Sequence, residues 1–121
     1  LFKIVIYEKG QTMPFYLFQG KYSIESMQAM VATPQDREAA AKPLIEALGG
    51  TLHHMFFCMG DYDMMALIEA PDDESMAAGA LAVGSSGAMT GGKTTKLMTS
   101  ADAMKAMAKA GAVTGAYKPA T

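Results

Sequence analysis

The side chains able to do chemistry crowd into one stretch of this 121-residue chain, Thr51 to Ala70. His53 and His54 sit beside Met55, Cys58 and Met59, a run of borderline and soft donors that suits a transition metal. In an extended strand alternate residues share a face, so His53, Met55 and Met59 would point one way and His54 and Cys58 the other. Four residues at ~3.3 Å each put His54 and Cys58 about 13 Å apart, beyond the reach of one ion. His53 and Met55 offer two ligands and need a third from elsewhere. The expectation is ordinary strand packing, with no metal and no cofactor. Tyr62 and Asp63 make the stronger functional pair. A carboxylate beside a phenol at the end of a hairpin can bind or deprotonate a ligand if the hairpin opens onto a cleft. Their structural alternative is equally concrete: aspartate closes the turn and tyrosine packs beside it. Tyr16, Lys21, Tyr22 and either histidine are the other polar groups expected to reach the same cavity.

A second pattern, Gly87-Ala88-Met89-Thr90-Gly91-Gly92-Lys93-Thr94, matches the phosphate-loop formula letter for letter. That loop works when it leaves a buried parallel strand and feeds a helix. Here an alanine-rich helical pattern precedes it and a strand-like run, Lys93–Thr99, follows. The order is reversed, and nucleotide binding is set aside in favour of a flexible connection.

The elements that must position these residues follow from periodicity. Leu52–Met59 and Met64–Ala70 are strand-length apolar runs, and Gly60-Asp61-Tyr62-Asp63 between them supplies turn residues, so the stretch is a β-hairpin. Upstream, Pro14–Tyr22 is a first strand. Ser23 can cap a helix whose Ile24, Met27, Met30 and Val31 form one apolar stripe. Thr33-Pro34 is the expected start of a second helix facing inward through Ala41, Leu44, Ile45 and Leu48, kinked at Pro43 and ended by Gly49-Gly50. Downstream, Asp72-Asp73-Glu74 suits a helix N-terminus. Met76, Ala77, Ala80 and Leu81 give that helix a narrow buried stripe, and Gly84–Gly87 breaks it. Ser100 is read as the cap of a final helix with Met104, Met107 and Ala108 inward. The result is an α+β, ferredoxin-like βαββαβ arrangement with an extra C-terminal helix. One face of its antiparallel sheet lacks helices, and a second copy of the same sheet is the expected cover.

Length and charge bound the rest. The domain divides into a strand-prone extension over 1–12 (a leader, a foreign remnant or an exchanged strand), a body over 13–110, and a tail over 111–121. A net charge of −2 lacks the basic face that nucleic acid requires. No apolar run approaches the ~20 residues of a membrane span. The single Cys58 makes no internal disulfide, and a cytoplasmic location is expected. Twelve methionines and abundant alanine suggest a soft, tightly layered core.

The chain resembles the GYD-domain family of small proteins. The likeness rests on Met13-Pro14, Thr33-Pro34 with Glu38–Lys42, Glu46–Gly50, Met59-Gly60-Asp61-Tyr62-Asp63 and Glu69–Glu74, in that order. Pro43 and the glycine-rich Gly84–Gly92 depart from the family pattern. The resemblance implies a fold that pairs into a dimeric α+β barrel, and it implies little about activity. A similar Gly-Asp-Tyr-Asp hairpin lines an inter-subunit small-molecule site in feast/famine transcription regulators, an analogy of position only. The function expected is small-molecule binding in a barrel cleft near Gly60–Asp63, with Tyr62, Asp63, His53, His54, Tyr16 and Lys21 as candidate ligand contacts. The alternatives are a cofactor-independent oxygenase or isomerase with His or Asp63 as base, and a structural subunit of a larger homo-oligomer.

Overall fold

The computed structural model describes residues 13–121. The strand-prone extension 1–12 lies outside the described residues. Four strands, β1 (Phe15–Tyr22), β2 (Thr51–Phe57), β3 (Met64–Glu69) and β4 (Met89–Leu97), pair antiparallel in the order β2-β3-β1-β4. Helices α1 (Ile24–Ala32) and α2 (Arg37–Ala47) join β1 to β2, α3 (Asp73–Ser85) joins β3 to β4, and α4 (Ser100–Val113) follows. This is the ferredoxin-like topology expected from the sequence.

Alternation along the two central strands decides what is buried. Tyr16, Tyr22, Met64, Ala66 and Ile68 point to the side covered by α2 and α3, where Ile45 and Met76 complete the core. Phe15, Leu17, Met65 and Leu67 point the other way and are half-buried. In α2 the inward residues are those the spacing predicts, with Ile45 buried and Ala41, Leu44 and Leu48 half-buried. In α3 the inward stripe is Met76, Gly79, Ala80 and Val83, while Ala77 and Leu81 are exposed. Gly79 permits this rotation of the helix: a β-carbon there would press to 3.1 Å from Leu48 Cδ1.

Local chemistry sets the ends. Ser23 Oγ accepts the Ser26 amide at 3.1 Å, as a helix N-cap should. Helix α2 starts at Asp36 rather than at Thr33-Pro34, because the Asp36 carboxylate accepts the Ala39 amide at 3.1 Å. Thr33, held extended before proline, ends α1 instead. The helix runs through Pro43 unbroken; Ala39, whose carbonyl loses that partner, is exposed where water can serve it. Gly49 closes α2 with a φ of 82°, a left-handed conformation that favours glycine. Helix α4 is capped by Thr99, one residue before the serine expected. It runs to Val113, past residue 110. Met104 and Met107, expected inward, are 68% and 67% exposed. Three residues of the α1 stripe, Ile24, Met27 and Val31, are exposed too, and only Met30 packs on the core.

Two irregularities sit in the outer strands. Leu52 pairs with Ile68 and His54 with Leu67, leaving His53 unmatched in β2. Likewise Lys21 pairs with Gly91 and Tyr22 with Met89, leaving Thr90 unmatched in β4. The glycine-rich run read as a flexible connection is therefore part of β4, where its amides and carbonyls are used against β1. A phosphate loop there is excluded by the strand itself.

The core predicts a contrast between two residues facing each other at the β2–β3 end. Met64 is 3% exposed, so Met64→Asp buries a charge without a partner at a cost of several kcal/mol and should yield unfolded chain. Phe57, which the hairpin pattern also places inward, is 62% exposed at the edge. Phe57→Asp should therefore fold with a lowered melting temperature, read by circular dichroism on both variants.

Candidate functional site

Ala41 on α2 and Gly79 and Ala80 on α3 are small residues on the faces turned to the sheet, and the layer between helices and sheet does not close. A cavity of about 360 Å³ remains. Its size is at the lower end of small-molecule sites. Its walls are apolar: Phe18 and Met64 from the sheet, Ala41 and Leu44 from α2, Ala80 and Val83 from α3. Four methionines reach it, Met55, Met64, Met76 and Met89.

Among the described residues, three polar side chains lie on this wall, Tyr22, Arg37 and Ser86. Ser86 is spent, its Oγ donating to the Val83 carbonyl at 2.6 Å and accepting the Ala88 amide at 3.2 Å. Tyr22 is 6% exposed, and its buried hydroxyl has no hydrogen-bond partner among the described residues. An unpaired buried polar group is uncommon and costly, and it marks a place where a partner belongs. Burial pushes the Tyr22 phenol up from its ordinary value, the adjacent Arg37 guanidinium pulls it back by its charge and as a nearby hydrogen-bond donor, and Asp63 adds to the rise. Arg37, the chain's only arginine, is thus beside the hydroxyl as a potential donor, but the pair does not reach normal hydrogen-bond geometry. Its Nη1 donates to Gln35 Oε1 at 2.9 Å, and it forms no ion pair among the described residues.

The Gly60–Asp63 turn sets this end of the cavity. Asp63 Oδ2 accepts the Tyr22 amide at 2.9 Å, the Asp63 amide donates to the Gly20 carbonyl at 2.9 Å, and the Cys58 amide donates to the Asp63 carbonyl at 2.8 Å. The Asp63 carboxylate thus fixes the end of β1, and with it Tyr22. The Ser23 amide, donating to the Ala88 carbonyl at 2.9 Å, ties the same point to the start of β4. Phe57 stacks on Tyr22 with ring centres 5.6 Å apart.

The remaining candidates are placed elsewhere. Tyr62 is half-buried in the turn and lies outside the cavity wall. Tyr16 is at the opposite end of β1, where its hydroxyl donates to Asp73 and Lys96 Nζ lies 2.9 Å from the same carboxylate oxygen. The β2 irregularity overturns the alternation expected for the histidines. Leu52 and Met55 face the core, three residues apart, and both His53 and His54 turn to the opposite face. There His53 Nε2 lies 2.9 Å from Glu69 Oε1 and the imidazole packs on Phe15, while His54 stacks on Phe56. Lys21 shares that face, exposed. Among the described residues no group of three or more His, Cys, Asp or Glu side chains is placed to hold a metal. No helix among them is long and apolar enough to cross a membrane.

A four-stranded antiparallel sheet with this strand order and helices on one face defines an α+β protein of ferredoxin-like type. The family model described as "GYD domain" matches residues 16–107, and the chain belongs to the GYD-domain family. The crystal structure of MtbAldR is similar in fold, with a TM-score of 0.54 at 11% sequence identity. The match covers 80% of this chain and 61% of that one, so this chain spans less than two thirds of MtbAldR. No curated protein matches the chain.

Burial and the bond to Asp73 hold the Tyr16 phenol up at about 12, from an ordinary 10.0. Because the folded value is raised, this contribution to stability is complete below pH 10 and lost as pH rises through about 12. Tyr22 shifts in the same direction. Tyr16→Phe should therefore lower the melting temperature at neutral pH and flatten its alkaline fall without abolishing it. An unchanged alkaline slope would show that Tyr16 is not a source of that fall.

Proposed function

We propose that this protein binds a small, largely apolar molecule in the cavity between the sheet and helices α2 and α3. The observation that carries the reading is the Tyr22 hydroxyl, buried in an apolar wall and unpaired. The ligand lies at the end of the cavity nearest the Gly60–Asp63 turn. Asp63 serves it indirectly, by positioning Tyr22. Binding is favoured over turnover because, among the described residues, the wall carries no imidazole, carboxylate or thiol to move a proton. The methionines supply a polarizable lining that adapts to shape.

They also supply the test. With methionine methyls labelled by carbon-13, binding of a small apolar compound such as indole should shift Met55, Met64, Met76 and Met89. The exposed Met104 and Met107 should stay in place. Shifts confined to the latter pair would place binding on the surface and sink the proposal. Tyr22→Phe should weaken any hydroxyl- or carbonyl-bearing probe while leaving indole unchanged.

We also propose that the opposite sheet face meets a second copy of the chain. It presents Leu17, Met65 and Leu67 at its centre, with Phe56 and Leu97 exposed toward its edges. Packing two such faces is how an antiparallel sheet without a second helical layer removes apolar surface from water. Wild-type protein should sediment as a dimer at micromolar concentration. Leu67→Lys should sediment as a monomer with unchanged circular dichroism, whereas a monomeric wild type would end this reading.

A further inference from the structure

We infer that the ligand of this cavity is a monocarboxylate with an apolar body, its anionic head held jointly by Arg37 and Tyr22; this rests on the cavity being a binding site. The polar inventory of the wall is what narrows the ligand. Ser86 has its donor and its acceptor occupied. That leaves the Tyr22 hydroxyl, unpaired, and the Arg37 guanidinium, a donor with no acceptor capacity. Two donors in one corner call for a ligand group rich in acceptors.

Charge narrows it further. Among the described residues Arg37 is the only charged one on the cavity wall, and none of the described acids pairs with it. Asp63, the nearest acid to act on Tyr22, already holds the Tyr22 amide. A cationic ligand would meet an uncompensated guanidinium there, and a neutral one would leave it unused. A planar carboxylate matches the guanidinium fork and can also accept from the phenol. A group with several charges would exceed what one arginine compensates, and the rest of the wall is aliphatic, aromatic or thioether. The apolar body then lies along Phe18 and the methionines, which favour aromatic rings through sulfur contacts.

Two probes of equal shape separate head from body: 4-phenylbutyrate and its neutral amide, 4-phenylbutanamide, titrated calorimetrically and by methionine-methyl NMR. Wild type should bind the carboxylate roughly tenfold or more tightly than the amide, with Met64 and Met89 shifting for both. Arg37→Gln should bring the carboxylate down to the amide's affinity and leave the amide unchanged. Arg37→Lys should fall between, since an ammonium keeps the charge and loses the fork. Equal affinities in wild type, with the cavity methyls still shifting, would overturn the carboxylate and leave the binding site standing. A preference that survives Arg37→Gln would place the anion elsewhere and overturn it too. If neither probe binds or moves those methyls, the binding site and the inference built on it fall together.

Discussion

Small residues facing a sheet are the constraint on which the rest of this structure depends. Helices that offer Ala41 (α2) and Gly79 and Ala80 (α3) to the layer below bring their backbones close at some points and leave space at others. Protein interiors tolerate few voids larger than a water molecule, because unfilled space forfeits packing contacts along its whole lining. Here the space is not filled by larger side chains from the sheet, although Met55, Met64 and Met89 are long enough to lean into it. The abundance of alanine therefore does not produce the tight layer that composition suggests. It produces a cavity with flexible walls.

The two ends of that layer are finished differently. At the start of β1, the Tyr16 hydroxyl, the Asp73 carboxylate and the Lys96 ammonium satisfy one another. At the far end of the same strand, the amides of Tyr22 and Ser23 are held, by the Asp63 carboxylate and the Ala88 carbonyl, while the phenol itself has no hydrogen-bond partner among the described residues. Six residues along one strand thus separate a closed polar cluster from an incomplete one. The family's turn motif acts in this fold as a clamp: its aspartate spends its carboxylate on the backbone amide of Tyr22, the residue that faces the cavity.

The fold was legible because its signals are periodic. The strand-length apolar runs at β1 and β3, the 3.6-residue spacing of α2 and the turn residues Gly60–Asp63 all agree with the structure. Where sequence reasoning misplaced residues, one unmatched position was enough to do it. His53 is that residue in β2: strict alternation groups it with Met55, whereas it turns to the face of His54. In β4 the glycines conceal a strand, since neither side-chain alternation nor β-propensity marks them. Arg37 stands at a helix start among exposed neighbours, a position where a charged residue is ordinary. Its one sequence signal is that it is the sole arginine beside nine lysines. Tyr22 was legible as a residue near the cavity, but an unpaired hydroxyl is a property of three-dimensional packing that spacing cannot reveal.

The unmatched residues His53 and Thr90 have a consequence at the scale of assembly. Among the described residues β2 and β4 are the sheet's outer strands, and each carries one register shift along its length. A straight outer strand is a ready template on which further copies can stack by main-chain hydrogen bonds, the geometry of fibrils. An interrupted one presents donors and acceptors out of step, so a docking strand can pair over only a few residues before losing register. In a protein this rich in alanine, methionine and exposed apolar helix surface, those two residues act as stops against open-ended growth.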